Sequence, residues 1–128
     1  MTNMAPQKNA LNAGPWEKLE SYSRSAARRN MTLYIIAGQY GEKGKIRKKI
    51  TIPTNFWKIV IAVPNDSAIN KNSKIVTVDM PNIDGIDQAN WRDYITTVKQ
   101  IEQKTGYNFL SSLPADVQNA LKSKIDVK

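Results

Sequence analysis

A chain of 128 residues with 41% hydrophobic and 23% charged side chains has the size and composition of a folded protein, so we expect residues 1–128 to form one domain. With 0 Cys and 0 His it lacks a thiolate zinc site, a thiol nucleophile and a histidine base, and no apolar run is long enough to cross a membrane. The net charge is +8, and residues 1–49 hold +7 of it, which is typical of proteins that bind polyanions such as nucleic acid or anionic lipid, and also of soluble basic proteins.

The first predicted element is a helix over residues 14–30, GPWEKLESYSRSAARRN. Pro15 suits the first helical turn, and Trp16 and Leu19 recur on roughly one face. Acidic side chains come early in this segment and arginines come late, which complements the helix dipole.

Four strand segments and a loop follow in chain order. MTLYIIAG, residues 31–38, predicts a buried strand that is closed by its glycine. Residues 41–53 predict a turn followed by a strand, and residues 56–63, FWKIVIAV, give the strongest strand pattern of the chain. Residues 73–80 predict another strand, and the Asp/Asn/Gly-rich residues 81–91 predict a loop.

Two short helices complete the chain. Thr97 is placed to cap a helix that ends at Gly106, and residues 113–124, LPADVQNALKSK, predict a last helix in which Val117 and Leu121 are spaced for burial. Strands in the middle with helices on both sides predict an α+β fold. Its central sheet should be antiparallel and flanked by helices, because the connections are too short for parallel crossovers.

Asn12 and Glu20 are the candidate metal-binding pair. Mg²⁺ is usually held by one or two protein oxygens and keeps several waters, so an amide and a carboxylate could serve it. On an ideal helix, residues eight apart lie about 12 Å apart along the axis and roughly 80° apart around it, so the chain before Gly14 would have to curl back. The alternatives are ordinary: Asn12 caps the helix, Glu20 interacts with its dipole, and Arg24 forms a surface ion pair.

Other candidate features have similar alternatives. The cluster of basic residues from Lys43 to Lys49 could follow a phosphate backbone or could be a solvated strand face. Trp57, Trp91 and Tyr107 lie in apolar contexts, which favours core positions over base-stacking platforms.

Several sequence blocks resemble the sugar-non-specific DNA/RNA endonuclease family, the ββα-metal or His-Me finger nucleases. These are TNMAPQ, then Asn12 with Trp16 four residues on and LE at positions 19 and 20, then LYIIAG, IPTNFWKIV, NWRDYITTV and IEQKTGYNFLSSLP. They run in the family's order from Asn3 to about Val127. The resemblance implies a His-Me finger fold and a nuclease that cleaves DNA and RNA with little base preference.

The resemblance also implies roles for four residues. Asn12 matches the asparagine that binds the single Mg²⁺ or Mn²⁺ directly, and Glu20 matches the glutamate that contacts this ion through a water molecule. Arg24 matches an arginine near the scissile phosphate, and Asn3 matches an asparagine that lines the same site. Gln7 lies in the motif, but we assign it no chemical role.

The chain departs from the family pattern at the general base. The family's Asp-Arg-Gly-His segment lies upstream of the matching region, and here there is neither such a string nor any histidine. MTNMAP looks like the end of a strand, so we expect a fold that is incomplete at its N-terminus and a chain that is weakly active or inactive alone. An N-terminal fragment supplying the histidine is then an expected partner, and a catalytically inactive nucleic-acid-binding or complementation fragment is the alternative. The family is commonly exported, so a secreted or extracellular location is expected from the resemblance alone.

Overall fold

The computed structural model describes residues 7, 11–27, 30–42, 44–46, 50–86 and 89–125, and describes only the backbone at residues 12, 13, 26, 27, 44–46, 50 and 51. An irregular helical turn, Asn12–Trp16, leads into the first regular helix. The elements that follow it are α1 (Glu17–Ala27), β1 (Met31–Tyr40), β2 (Gly44–Ile46), β3 (Ile50–Ile52), β4 (Asn55–Pro64), β5 (Lys74–Pro81), a short 3₁₀ helix (Trp91–Tyr94), α2 (Val98–Thr105) and α3 (Ala115–Lys122). In this part of the chain, every helix is too short or too polar to span a bilayer.

The sheet is antiparallel, with β4 in the centre between β1 and β5. Side chains of β4 alternate between two cores: Phe56 and Val60 pack on one face with Leu19 of α1, whereas Trp57 and Ile59 pack on the other face with residues of α2 and α3. This alternation follows from the two-residue period of a strand. The α+β prediction of an antiparallel sheet flanked by helices is confirmed.

The predicted ends of α2 are confirmed, whereas α3 is shorter than predicted and begins after Pro114. The Thr97 hydroxyl accepts the backbone N–H of Gln100 at 3.2 Å, and Gly106 ends α2 with a φ of 77°, a left-handed conformation that glycine adopts without steric cost. Val117 and Leu121 of α3 are buried as predicted. Residues 41–53 differ from the prediction, because β2 and β3 pair as a separate antiparallel hairpin in place of one strand.

The predictions for three aromatic side chains have different outcomes. Trp57 and Trp91 are buried core residues, as expected. The prediction for Tyr107 is wrong, since its side chain is 58% exposed and meets Phe109 edge to face at the surface, with 5.9 Å between ring centroids. Tyr107 directly follows the glycine that ends α2.

The prediction that β1 is a buried strand is wrong. None of its ten residues is buried, and Tyr34, Ile35 and Ile36 are all exposed. β1 lies at the edge of the sheet, and these three side chains stay 36–51% exposed there. An apolar run alone does not distinguish a central strand from an edge strand whose apolar residues lack a cover.

Among the described strands only β4 pairs with β1, and the outer edge of β1, left unpaired there, predicts self-association. Strand edges with unpaired N–H and C=O groups template pairing with other chains, and a charge on the edge opposes it. We expect Ile35→Lys to move the onset of self-association to a several-fold higher protein concentration, measured by sedimentation velocity. Gln103→Lys is the matched control, because it adds the same charge at an exposed polar position of α2, away from the strand edge, and it should leave self-association unchanged. A wild-type chain that stays monomeric over the whole concentration range would contradict the prediction.

A buried carboxylate joins the three strands to α2. Asp79 of β5, with a side chain only 7% exposed, accepts the Tyr40 hydroxyl at 2.6 Å, the Asn55 side-chain amide at 2.7 Å and the Lys104 ammonium at 3.0 Å. Burial is the largest influence on Tyr40, followed by the hydrogen bond to Asp79 and the charge of Asp79, and together they raise the pKa of Tyr40 well above its ordinary value of 10.0.

Tyr40→Phe is expected to lower the free energy of unfolding by about 2 kcal/mol at neutral pH, because it removes a hydrogen bond to a buried charge. The raised pKa of Tyr40 sets the sign of the pH dependence. The hydroxyl contributes fully below the unfolded-state pKa of about 10, and its contribution is lost as the pH rises above that value. Urea unfolding between pH 8 and 11 should therefore show a steeper decline for wild type than for Tyr40→Phe. Tyr34→Phe, at an exposed tyrosine of the same strand, should behave as wild type.

Candidate metal and phosphate site

A backbone kink separates Asn12 from Glu20. Gly14 has φ −99° and ψ −118°, outside helical values, so the turn Asn12–Trp16 and α1 do not form one ideal helix. Leu11, Trp16 and Leu19 are buried on the two sides of this kink and fix both segments against the sheet. The 12 Å separation expected for an ideal helix therefore does not apply to this pair.

The carboxylate of Glu20 lies over the face of the central strand. Its side chain is 42% exposed, and its Oε2 atom is 3.4 Å from the ammonium of Lys58 on β4. The side chain of Lys58 is only 7% exposed, and its Nζ lies 4.4 Å from the centroid of the Trp16 ring. A carboxylate open to solvent is thus held above a cation that the sheet and Trp16 enclose.

The protonation of Lys58 reflects this enclosure. Burial, the largest influence, lowers the pKa of Lys58 below its ordinary value, because removal from water disfavours the charged form. The charge of Glu20 and its hydrogen bond oppose this shift, and the positive charge of Arg24 adds to it. Glu20, Lys58 and Arg24 therefore form one electrostatic group.

Arg24 lies one turn after Glu20 on α1. Its guanidinium donates to the Glu17 carboxylate at 3.2 Å and to the Ser21 hydroxyl at 2.9 Å. The side chains of Arg24 and Glu17 are 58% and 50% exposed, and ion pairs this exposed contribute little to stability. The guanidinium can exchange this contact for another anion, such as a phosphate, at small cost.

The remaining predicted site residues are placed only in part. The structure gives the backbone of Asn12, in the turn before the kink, while its side chain and the whole of Asn3 lie outside the described residues. Gln7 is partly buried, and its Nε2 finds no hydrogen-bond partner in the described part of the chain. The roles of Asn3, Asn12, Glu20 and Arg24 stay predictions.

The donor set fits a hard, hydrated cation. The described residues contain no group of three or more His, Cys, Asp or Glu side chains that could enclose a metal ion. Such a group is what zinc or a calcium cage requires, whereas Mg²⁺ is commonly held by one or two protein oxygens and otherwise by water. The half-exposed carboxylate of Glu20 is a donor of this second kind, and the amide of Asn12 is the other donor that the sequence predicts.

Sequence reasoning missed Lys58. It was counted only as a residue of the strongest strand segment, FWKIVIAV, where it is the one charged residue in an apolar run. The alternation of β4 could have found it, because Phe56, Lys58 and Val60 share a face and Phe56 and Val60 pack against the α1 side.

Comparison with known proteins gives consistent matches. The family model for DNA/RNA non-specific endonuclease matches residues 1–116. The chain is 36% identical over 131 residues to a nuclease of Nostoc sp., covering 98% of this chain and 47% of that protein. It is 34% identical over 131 residues to a nuclease of Serratia marcescens, covering 97% of this chain and 47% of that protein.

A similar solved structure is a chain of the crystal structure of the EndoG/EndoGI complex, with a TM-score of 0.67 and 19% identity over 87% of this chain and 49% of that one. It supports the His-Me finger fold that the resemblance implied. The chain spans about half the length of the curated relatives that it matches. With a family model matching 116 of its 128 residues, the chain belongs to the DNA/RNA non-specific endonuclease family.

Proposed function

We propose that this chain is the metal-binding part of a Mg²⁺-dependent endonuclease that hydrolyses phosphodiester bonds of DNA and RNA without base preference. The observation that carries the proposal is the half-exposed carboxylate of Glu20, held over Lys58, with the exchangeable guanidinium of Arg24 one turn along the same helix. A hydrated cation and a phosphate need these two kinds of group side by side.

The proposed roles follow the family pattern. Asn12 contacts the ion directly through its amide oxygen, and Glu20 contacts it through a water molecule. Arg24 and Asn3 lie near the scissile phosphate, where a guanidinium neutralises phosphate charge. When bound, Mg²⁺ or Mn²⁺ supplies Lewis-acid stabilisation of the charge that develops on the phosphate and the leaving oxygen.

A proton acceptor for the attacking water is the missing part. The chain has 0 His, and loss of a general base typically lowers rates by about 10²–10⁴-fold even when electrostatic stabilisation is intact. We therefore propose that the isolated chain cleaves weakly or not at all, and that a histidine from an N-terminal segment completes the site.

Plasmid nicking and RNA cleavage in Mg²⁺ test the proposal. Imidazole, a small substitute for the absent base, should induce cleavage that EDTA, Asn12→Ala and Glu20→Gln each abolish. Asn119→Ala is the matched control for Asn12→Ala, since it truncates an asparagine on α3, which packs on the opposite face of the sheet, and it should keep the activity. Cleavage that survives both site variants, or that does not need a metal, would contradict the proposal.

A second candidate function is nucleic-acid binding without cleavage, favoured by the net charge of +8. A protein of this kind would retain DNA in a filter-binding assay and lose it steeply as salt is raised, because binding releases counterions. DNA retention without imidazole-induced cleavage would favour this function over the first.

A further inference from the structure

We propose that Lys58 is a positioning residue for Glu20: its buried ammonium holds one carboxylate oxygen in place so that the other meets the hydrated cation. The inference rests on the metal site of the proposed function. It adds a residue from the central strand to a site otherwise built from the N-terminal segment and α1.

The position of Lys58 makes its ammonium a fixed point. The residue lies in the middle of β4, paired with Ala37 of β1 on one side and Val78 of β5 on the other. The Trp16 ring lies 4.4 Å from Nζ, and the side chain is 7% exposed. A side chain in the central strand of a sheet, beneath a helix, has little freedom to move.

The side chain of Glu20, in contrast to that of Lys58, is exposed. It lies on a helix surface with 42% of its side chain exposed, where a free glutamate would sample several rotamers. The contact of Oε2 with Lys58, at 3.4 Å, restricts that sampling, while Oε1 has no hydrogen-bond partner among the described residues. One oxygen is thereby anchored, and the second is left to accept a hydrogen bond from a water molecule on the cation.

Stability alone does not account for this pair. An ion pair of this kind is weak evidence for stability, and removal of Lys58 would leave no buried charge behind, because the Glu20 side chain is 42% exposed and stays hydrated. The Lys58 stem already packs in an apolar layer beside Trp16, so methionine should fill its place. Orientation of Glu20 is the property that methionine would not replace.

The test measures Mn²⁺ binding to the full chain by electron paramagnetic resonance, with no substrate present. Lys58→Met should weaken Mn²⁺ binding about tenfold or more, as loss of residues that orient metal ligands commonly does. Its melting temperature should equal or exceed that of wild type. Lys99→Met, which removes one exposed positive charge far along the chain, is the matched control and should leave Mn²⁺ affinity unchanged.

A double-variant cycle shows whether Lys58 acts through Glu20. In a Glu20→Gln background, Lys58→Met should have no further effect on Mn²⁺ affinity. An equal loss in both backgrounds, or unchanged affinity in Lys58→Met alone, would overturn the proposal. If Lys58→Met does not fold, Lys58→Gln takes its place with the same expected loss.

A measurement without metal separates this inference from the proposed function. Side-chain ¹³C relaxation of Glu20 should show greater mobility in Lys58→Met than in wild type, while Glu17, paired with Arg24, stays unchanged. If wild type binds no Mn²⁺, the metal site of the proposed function fails, and the relaxation of Glu20 still decides whether Lys58 positions it. Equal order of Glu20 in both proteins would overturn the role of Lys58.

Discussion

Adding a polypeptide that carries an Asp-Arg-Gly-His segment to the chain in Mg²⁺ is expected to raise the rate of plasmid nicking by about 10²–10⁴-fold. The reason is that this chain and the added polypeptide supply different groups to the proposed site. Glu20 and Arg24 supply charge at fixed positions on α1, whereas the proton acceptor is absent from a chain with 0 His. The rate measured as loss of supercoiled plasmid should saturate with the concentration of the added polypeptide.

Two variants control this experiment. Replacing the histidine of the added polypeptide by alanine should remove the gain while leaving its association with the chain unchanged, measured by sedimentation velocity. Glu20→Gln in this chain should also remove the gain, because it disables the proposed metal site rather than the added base. If the polypeptide binds and no cleavage follows, complementation is wrong, and the nucleic-acid-binding alternative is favoured.

Local signals predicted those parts of the fold that depend on neighbours in the chain. The capping hydroxyl of Thr97 and the left-handed Gly106 fix the ends of α2 through contacts within four residues, so their pattern was sufficient. The strand β4 itself was also predictable, because an apolar run rich in β-branched residues favours extended structure.

Features that depend on distant partners were not predictable in this way. Gly38 was expected to close β1, yet the strand continues to Tyr40, and Gly38 lies opposite Trp57 in the register. A Cβ at Gly38 would lie 2.6 Å from Cζ2 of the Trp57 ring, so glycine leaves room there for a cross-strand side chain. The exposure of β1 likewise depends on which elements cover it, which an apolar run does not specify.

In the candidate site, too, the contacts between distant residues were not predictable from local sequence. The roles of Asn12, Glu20, Arg24 and Asn3 were assigned by family resemblance, because the spacing of Asn12 and Glu20 permits a shared ion without requiring one. The kink at Gly14 means that the ideal-helix separation does not apply to Asn12 and Glu20, and only the folded backbone reveals this kink. Lys58 reaches Glu20 across 38 positions of sequence, so no local pattern could join the two residues.

Phe56→Ala is the substitution expected to cost most in stability, about 3–5 kcal/mol, because it empties a fully buried site in the core between the sheet and α1. Domains of this size have only about 5–15 kcal/mol in total. Urea unfolding followed by far-ultraviolet circular dichroism would measure the loss. A loss below about 1 kcal/mol would contradict the packing of this core.

Phe56 also connects the core to the site. Its ring meets that of Trp16 edge to face, with centroids 5.9 Å apart, and Trp16 in turn lies against the Lys58 ammonium beneath Glu20. Phe109→Ala is the matched control on the opposite face, where Phe109 packs against Trp57. Both variants should be destabilised, but in the folded protein only Phe56→Ala should weaken Mn²⁺ binding, because only that cavity lies under the side chains that hold Glu20. Equal weakening by both variants would show that the affinity follows global stability rather than the Phe56–Trp16–Lys58 contacts.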